Sequence, residues 1–164
     1  MKKIILLFFL LVFSLSYSQK KGTTNSPSKK EAIDWLNSKF SGDRKPLIGP
    51  RYMMTSFAKF NIDGSFNIVT YYKYQSSQIS DQTSYFSGNL KDLSYSSVYS
   101  RFENGIYMFY AKCHYGDCVQ ATSSRQEQVL LGMIASDSDS NIEQRAINAF
   151  KSTIKMYNPK KEAF

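Results

Sequence analysis

Ile106-Tyr107-Met108-Phe109-Tyr110-Ala111-Lys112, Cys113-His114-Tyr115-Gly116-Asp117-Cys118 and Val119-Gln120-Ala121-Thr122 follow one another without a break, and no other part of the chain says as much about its architecture. The first run is rich in strand formers, the middle holds turn-compatible residues between two cysteines, and the last resumes extended character. The pattern predicts a β-hairpin. In an antiparallel hairpin with a four-residue loop, Cys113 and Cys118 face each other as the first pair, at a Cβ separation that suits an S–S bond. A disulfide is therefore expected, closing a short loop and pinning the register of the hairpin.

Two sharper chemistries compete for the same residues. A structural zinc site would draw on Cys113, His114, Asp117 and Cys118, but it needs four well-oriented ligands, and neighbours along a strand point to opposite faces. A Cys–His nucleophile pair meets the same directional objection, and a second thiol stands ready to oxidise the first. His114 is the only histidine, so a hydrolase triad would also need it. The chain has no Gly-x-Ser-x-Gly elbow, no phosphate-cradling glycine loop and no His-Glu-x-x-His helix. The expectation is no catalytic residue, no metal and no cofactor, with a small enzyme as the least favoured reading.

Downstream of the cysteines, residues 123–128 read as a polar loop. Val129-Leu130-Leu131-Gly132-Met133-Ile134-Ala135 is a continuous apolar run, which fits a buried strand or a buried helix. Its seven residues and Gly132 favour a central strand. Ser140 with Glu143 forms a capping-box pattern, and Ile142, Ala146, Ile147, Phe150, Ile154 and Tyr157 fall on one face of a helix that Asn158 and Pro159 close. Residues 159–164 read as a frayed tail.

Upstream, residues 94–102 fit either a helical stripe or an alternating strand. The strand is preferred, because Glu103-Asn104-Gly105 offers turn chemistry that folds it back onto Ile106. Tyr85-Phe86-Ser87-Gly88-Asn89-Leu90 suggests a short strand after the polar residues 75–84. Asp63-Gly64 lies between two runs of strand formers, residues 52–62 and 66–74, and predicts a hairpin with a two-residue type I′ turn. A calcium loop at Asn61-Ile62-Asp63-Gly64 lacks the further acidic ligands and the closing glutamate. Gly42, Pro46, Gly49 and Pro50 mark a loop. Before it, Ser28 and Glu31 form a capping box ahead of Ala32, Ile33, Leu36 and Phe40, predicting a helix over residues 29–40 with Trp35 as a packing anchor.

The first residues read as a leader. Lys2 and Lys3, the apolar run from Ile4 to Phe13 and the small residues Ser16 and Ser18 match a secretory signal peptide over residues 1–18, with the mature chain starting near Gln19. About ten apolar residues fall short of the roughly 20 that cross a bilayer, so no stable membrane span is expected. Residues 19–28 are a flexible lead, and residues 29–158 form a single α+β domain. Export to the periplasm or beyond places the cysteines where a bridge persists.

The order of elements is helix, about seven strands in hairpin-like succession, then an amphipathic helix. That predicts an antiparallel, strongly bent sheet or barrel with the last helix packed against it. At the level of topology it resembles a pleckstrin-homology-like barrel: two curved sheets capped by a final helix, here residues 142–157. It is also similar to small exported domains of that shape of Bacteroidetes type, in which a cysteine hairpin such as Cys113 to Cys118 precedes the last strand and helix. The resemblance spans about residues 29–157 and implies a fold, not a function.

Charge and tyrosine content shape the functional expectation. Of the formal charge of +8, two units leave with Lys2 and Lys3, so the mature chain carries +6. The excess is scattered in pairs (Lys20-Lys21, Lys29-Lys30, Arg44-Lys45, Lys160-Lys161), unlike the basic runs interleaved with aromatics that bind nucleic acid. Tyr71, Tyr72, Tyr74, Tyr85, Tyr95, Tyr99, Tyr107, Tyr110 and Tyr115 lie in or beside the expected strands, where tyrosine is an ordinary sheet residue. An exposed group of them beside Lys73 or Arg101 offers a glycan, peptide or lipid-headgroup surface. Tyr71, Lys73, Tyr99, Arg101, Tyr107 and Tyr115 are the candidates. The resulting expectation is an exported, non-catalytic domain that binds an unidentified protein or a polyanionic ligand, or a basic surface for anionic lipid or polysaccharide whose binding weakens with salt.

Overall fold

A computed structural model describes residues 27–42, 46–136 and 139–158. The leader, most of the lead and the tail expected from the sequence lie outside the described residues. Helix α1, Lys29–Phe40, begins as its cap dictates: Ser28 is extended, its hydroxyl accepts from the Glu31 amide at 3.2 Å, and the Glu31 carboxylate accepts from the Ser28 amide at 2.7 Å. Ala32, Ile33, Leu36 and Phe40 are its buried face. The Asn37 side chain donates to the Phe60 carbonyl at 2.8 Å and accepts from the Phe60 amide at 2.9 Å, clamping the helix to the strand that follows.

The strands are β1 (Leu47–Ile48), β2 (Tyr52–Phe60), β3 (Ser65–Tyr74), β4 (Gln82–Asn89), β5 (Tyr99–Glu103), β6 (Ile106–Lys112), β7 (Val119–Ala121), β8 (Arg125–Gln126) and β9 (Gln128–Ala135), with helix α2 at Ile142–Tyr157. All described pairings are antiparallel. They form a six-stranded sheet, β1-β2-β3-β4-β7-β8, and a three-stranded sheet, β5-β6-β9. The α+β class with a helix at each end agrees with expectation, but the strands do not close into one barrel. Nine strands replace about seven, because two-residue strands form in the Pro/Gly-punctuated loop (β1) and in the supposed polar loop (β8).

The hairpin at Asp63-Gly64 forms, but not with the two-residue type I′ turn expected there. Phe60 pairs with Phe66, the Asn61 amide donates to the Ser65 carbonyl, and the Gly64 amide donates to the Asn61 carbonyl, which leaves a three-residue loop at Ile62-Asp63-Gly64. Gly64 alone of these has positive φ, at 87°. Asp63 instead uses its carboxylate to accept from the Ser65 amide at 2.9 Å and hydroxyl at 2.7 Å, a bracket that suits a type I turn with a following bulge. The two-residue turn with both residues at positive φ is Asn104-Gly105, at 48° and 79°, joining β5 to β6.

The cysteine stretch is not a hairpin. Strand β6 is flanked by β5 and β9, so neither of its edges is open to β7, which pairs with β4 at Phe86↔Ala121 and Ser87↔Gln120. The loop between the cysteines therefore carries the chain from one sheet to the other. Strand β9 is buried as expected but ends its sheet instead of lying centrally. It carries a bulge: Phe109 pairs with Gly132 and Tyr110 with Leu130, leaving Leu131 between them unpaired and fully buried. The second capping box is also absent. Asn141 is the N-cap without a side-chain bond, Asp139 accepts from the Asn141 amide at 3.0 Å, and Glu143 reaches across to accept from the Ser100 hydroxyl.

Two apolar clusters fill the interior. The larger lies under the helices and joins Leu36 and Phe40 of α1, Phe60, Phe66 and Ile68 of the large sheet, Phe109 and Leu131 of the small sheet, and Phe150 and Ile154 of α2. The smaller lies between the sheets and joins Leu47, Met54, Ile106, Met108 and Met133. Gly132 is where helix and sheet come closest: a Cβ there would sit 2.3 Å from Cδ1 of Phe40. That ring is fully buried beside Phe150 (4.9 Å between centroids) and Phe109 (5.8 Å), so it has nowhere to retreat. Gly132→Ala is expected to destabilise the protein by about 1–3 kcal/mol, the usual cost of overpacking. Urea unfolding of the variant and the parent checks it.

Candidate functional site

Cys113 and Cys118 are bonded, with 5.7 Å between their Cα atoms. Around them the backbone is held firmly. The Cys113 amide donates to Glu127, the His114 amide donates to Asp92 at 2.8 Å, and Leu93 bridges to Cys113, so the loop is stitched to the 3-10 turn Leu90–Asp92 and to the approach to β9. The Cys118 amide points at Sγ of Cys113, at 3.0 Å. With both sulfurs in the bridge, neither is a thiolate. Among the described residues no three His, Cys, Asp or Glu side chains gather where they could hold one metal ion, and no helix is long and apolar enough to cross a membrane. Replacing both cysteines with serine should give a folded protein that is less stable by about 2 kcal/mol, the entropy of so short a closed loop; an unchanged melting temperature would contradict this.

The predicted binding residues fall in four places. Tyr71 and Lys73 point outward from β3, and Tyr71 meets Phe57 at 5.8 Å. Tyr115 sits on the bridged loop, 74% exposed, edge-on to His114 at 4.3 Å. Tyr107 turns toward the helices and packs on Phe102 at 4.8 Å. Tyr99 and Arg101 are in contact with each other. They are opposite Tyr110 and Met108 in the β5–β6 pairing and so share the face that looks toward the large sheet.

On that face a tyrosine group assembles from both sheets. Tyr99 stacks on Tyr110 with centroids 5.3 Å apart and planes 18° apart. The exposed Arg101 guanidinium lies 5.8 Å from the Tyr99 ring centroid and 5.5 Å from that of Tyr110. From the large sheet, Tyr52 meets Tyr72 edge-on at 5.7 Å and Tyr74 at 6.2 Å. The Tyr110 hydroxyl donates to the sulfur of Met108 at 3.6 Å, which ties the group to the smaller apolar cluster beneath it.

The spacing that builds this group is strand alternation. Tyr52, Met54, Ser56, Ala58 and Phe60 face inward on β2, and Phe66, Ile68, Thr70, Tyr72 and Tyr74 face inward on β3. The sequence reading passed over Tyr52, although its register opposite Tyr74 follows from the hairpin once the turn is placed.

Burial pushes the phenols of Tyr72 and Tyr110 above the ordinary tyrosine value. Charge on the neighbours Tyr52 and Tyr74 adds to this at Tyr72, while Arg101 pulls Tyr110 back down. A phenol whose folded pKa is raised keeps its proton after the unfolded chain has lost it. Its stabilising effect is intact below about pH 10 and is lost as pH rises through the raised value. Ultraviolet titration should show late-ionising tyrosines, reduced in number in Tyr72→Phe and Tyr110→Phe, with stability falling over the same alkaline range.

A separate groove of about 470 Å³ runs between the helices, lined by Ala32, Trp35, Ala149 and Thr153 with Glu31 and Arg145 among the polar residues. Trp35 is half-buried against the larger core, as its predicted role requires, and Arg145 is held by Asp139. No protein-family model, curated protein or solved structure matches this chain.

Proposed function

We propose that this chain is an exported, non-catalytic binding domain that lays a carbohydrate against the tyrosine group of Tyr52, Tyr72, Tyr74, Tyr99 and Tyr110. The observation that carries this reading is that Tyr52 and Tyr72 of the large sheet and Tyr110 of the small sheet pack on one apolar cluster, with Tyr74 edge-on to Tyr52, Tyr99 stacked on Tyr110 and the exposed guanidinium of Arg101 beside those last two rings. Tyrosine rings offer rigid apolar faces at low entropic cost, and their hydroxyls meet polar ligand groups. Sugar rings present the same combination of an apolar face and a polar rim. Arg101 orders Tyr99 and Tyr110 through cation–π contact and adds donors at the edge. The single histidine, His114, stands on the bridged loop beside Tyr115 and not in this group.

Export is supported by the leader-like N-terminus and by the Cys113–Cys118 bridge, which persists in an oxidising compartment. A second reading, adsorption to anionic lipid or polysaccharide, draws on the net positive charge and on Arg101, which has no carboxylate within ion-pair distance among the described residues. Calorimetric titration with soluble neutral and acidic polysaccharides separates the two. The carbohydrate reading expects binding that survives high salt and weakens about tenfold or more in Tyr99→Ala, as truncating a buried aromatic anchor does. Tyr71→Ala on the outer face should bind as the parent does. Full affinity in Tyr99→Ala overturns the proposal, and binding abolished by salt alone transfers the site to the anionic ligand.

A further inference from the structure

Strand β5 is bonded on one side only. Its turn fixes which groups are spare: Asn104-Gly105 is a two-residue turn, so Glu103 and Ile106 form a hydrogen-bonded pair, and Arg101↔Met108 and Tyr99↔Tyr110 repeat it two and four residues on. The N–H and C=O groups of Ser100 and Phe102 therefore point away from β6, and none of them meets a partner among the described residues. The other sheet margins are treated differently. The large sheet ends in the two-residue strands β1 and β8, and β9, at the other margin of the small sheet, lies close to β2. An open strand edge is a template for another strand.

The side chains on this edge specify which strand. Phe102 is 59% exposed, and Arg101 and Glu103 flank it, exposed, on the opposite face. When a second β5 is laid antiparallel with Phe102 opposite Phe102, those two residues exchange both backbone bonds. Arg101 of each copy then stands directly opposite Glu103 of the other, in the non-hydrogen-bonded positions where side chains approach most closely. Moving the two-fold axis by one residue, a slip of two residues between the strands, instead sets Arg101 against Arg101, and like charges directly opposite are unfavourable. Centring on Ser100 brings the second copy toward α2, whose Glu143 holds the Ser100 hydroxyl.

We infer that two copies of this chain pair through β5 about a two-fold axis at Phe102, joining their three-stranded sheets into one. The contact is isologous: the same residues serve both sides and the assembly closes at two. It sets both tyrosine groups on one face of the joined sheet, so the protein would present two carbohydrate surfaces side by side. It also gives each Arg101 the carboxylate that it lacks among the described residues of its own chain.

Sedimentation equilibrium of the oxidised mature protein tests this with a charge swap. The parent should be a dimer. Arg101→Glu and Glu103→Arg should each weaken dimerisation by about tenfold or more, because two attractive pairs become repulsive, and the double variant should recover it. Melting temperatures near the parent's confirm that the fold is intact. A parent that is monomeric at every concentration reached overturns the inference, as do single reversals that dimerise like the parent or a double variant no tighter than the singles. Glu103 lies outside the tyrosine group, so Glu103→Arg separates loss of pairing from loss of carbohydrate binding.

Discussion

The ring of Phe40 occupies the space that a side chain at residue 132 would need, and this close fit is what brings the helices onto the sheets. Four fully buried rings meet there. Phe40 comes from α1, Phe60 from the large sheet, Phe109 from the small sheet and Phe150 from α2, with centroid separations between 4.9 and 5.9 Å. Each layer of the fold contributes one ring, so none can be displaced without opening a void against the others. The helices are amphipathic, and most of their stability is that of the packing they find there.

The inner face of the large sheet changes character along its length. Under the helices it is Phe60, Phe66, Ala58 and Ile68. Midway it passes through Ser56 and Thr70, which are buried and share a hydrogen bond, and beyond them it becomes Met54, Tyr52, Tyr72 and Tyr74. The small sheet divides the same two environments between its faces, with Phe109 and Ala111 toward the helices and Met108 and Tyr110 on the other side. One end of the molecule is thus dry and closed, and the other carries phenols that combine packing with polar contact. The tyrosine group is the continuation of the core toward solvent.

The parts legible in the sequence are those set by local chemistry. Ser28 and Glu31 announce α1, the stripe from Ile142 to Tyr157 announces α2, and alternating strand formers announce the β2–β3 hairpin. The errors arise where a residue has a second use. Asp63 reads as a turn residue for its backbone but serves through its carboxylate, and Glu143 reads as a cap but is taken by Ser100. Strand partners are harder still, because β7 goes to the open edge of β4 only after β5 and β9 have claimed β6. The tyrosine group depends on that choice. Tyr107 and Tyr110 look alike in the sequence, yet their side chains fall on opposite faces of one strand.

The bridge between Cys113 and Cys118 spans five positions, and these are the only two cysteines in the chain. With no third thiol there is no wrong intramolecular pairing to undo. Oxidation is then a single event with one intramolecular outcome. Closing the bridge takes an oxidant but no disulfide isomerase, and it locks the crossover between the two sheets.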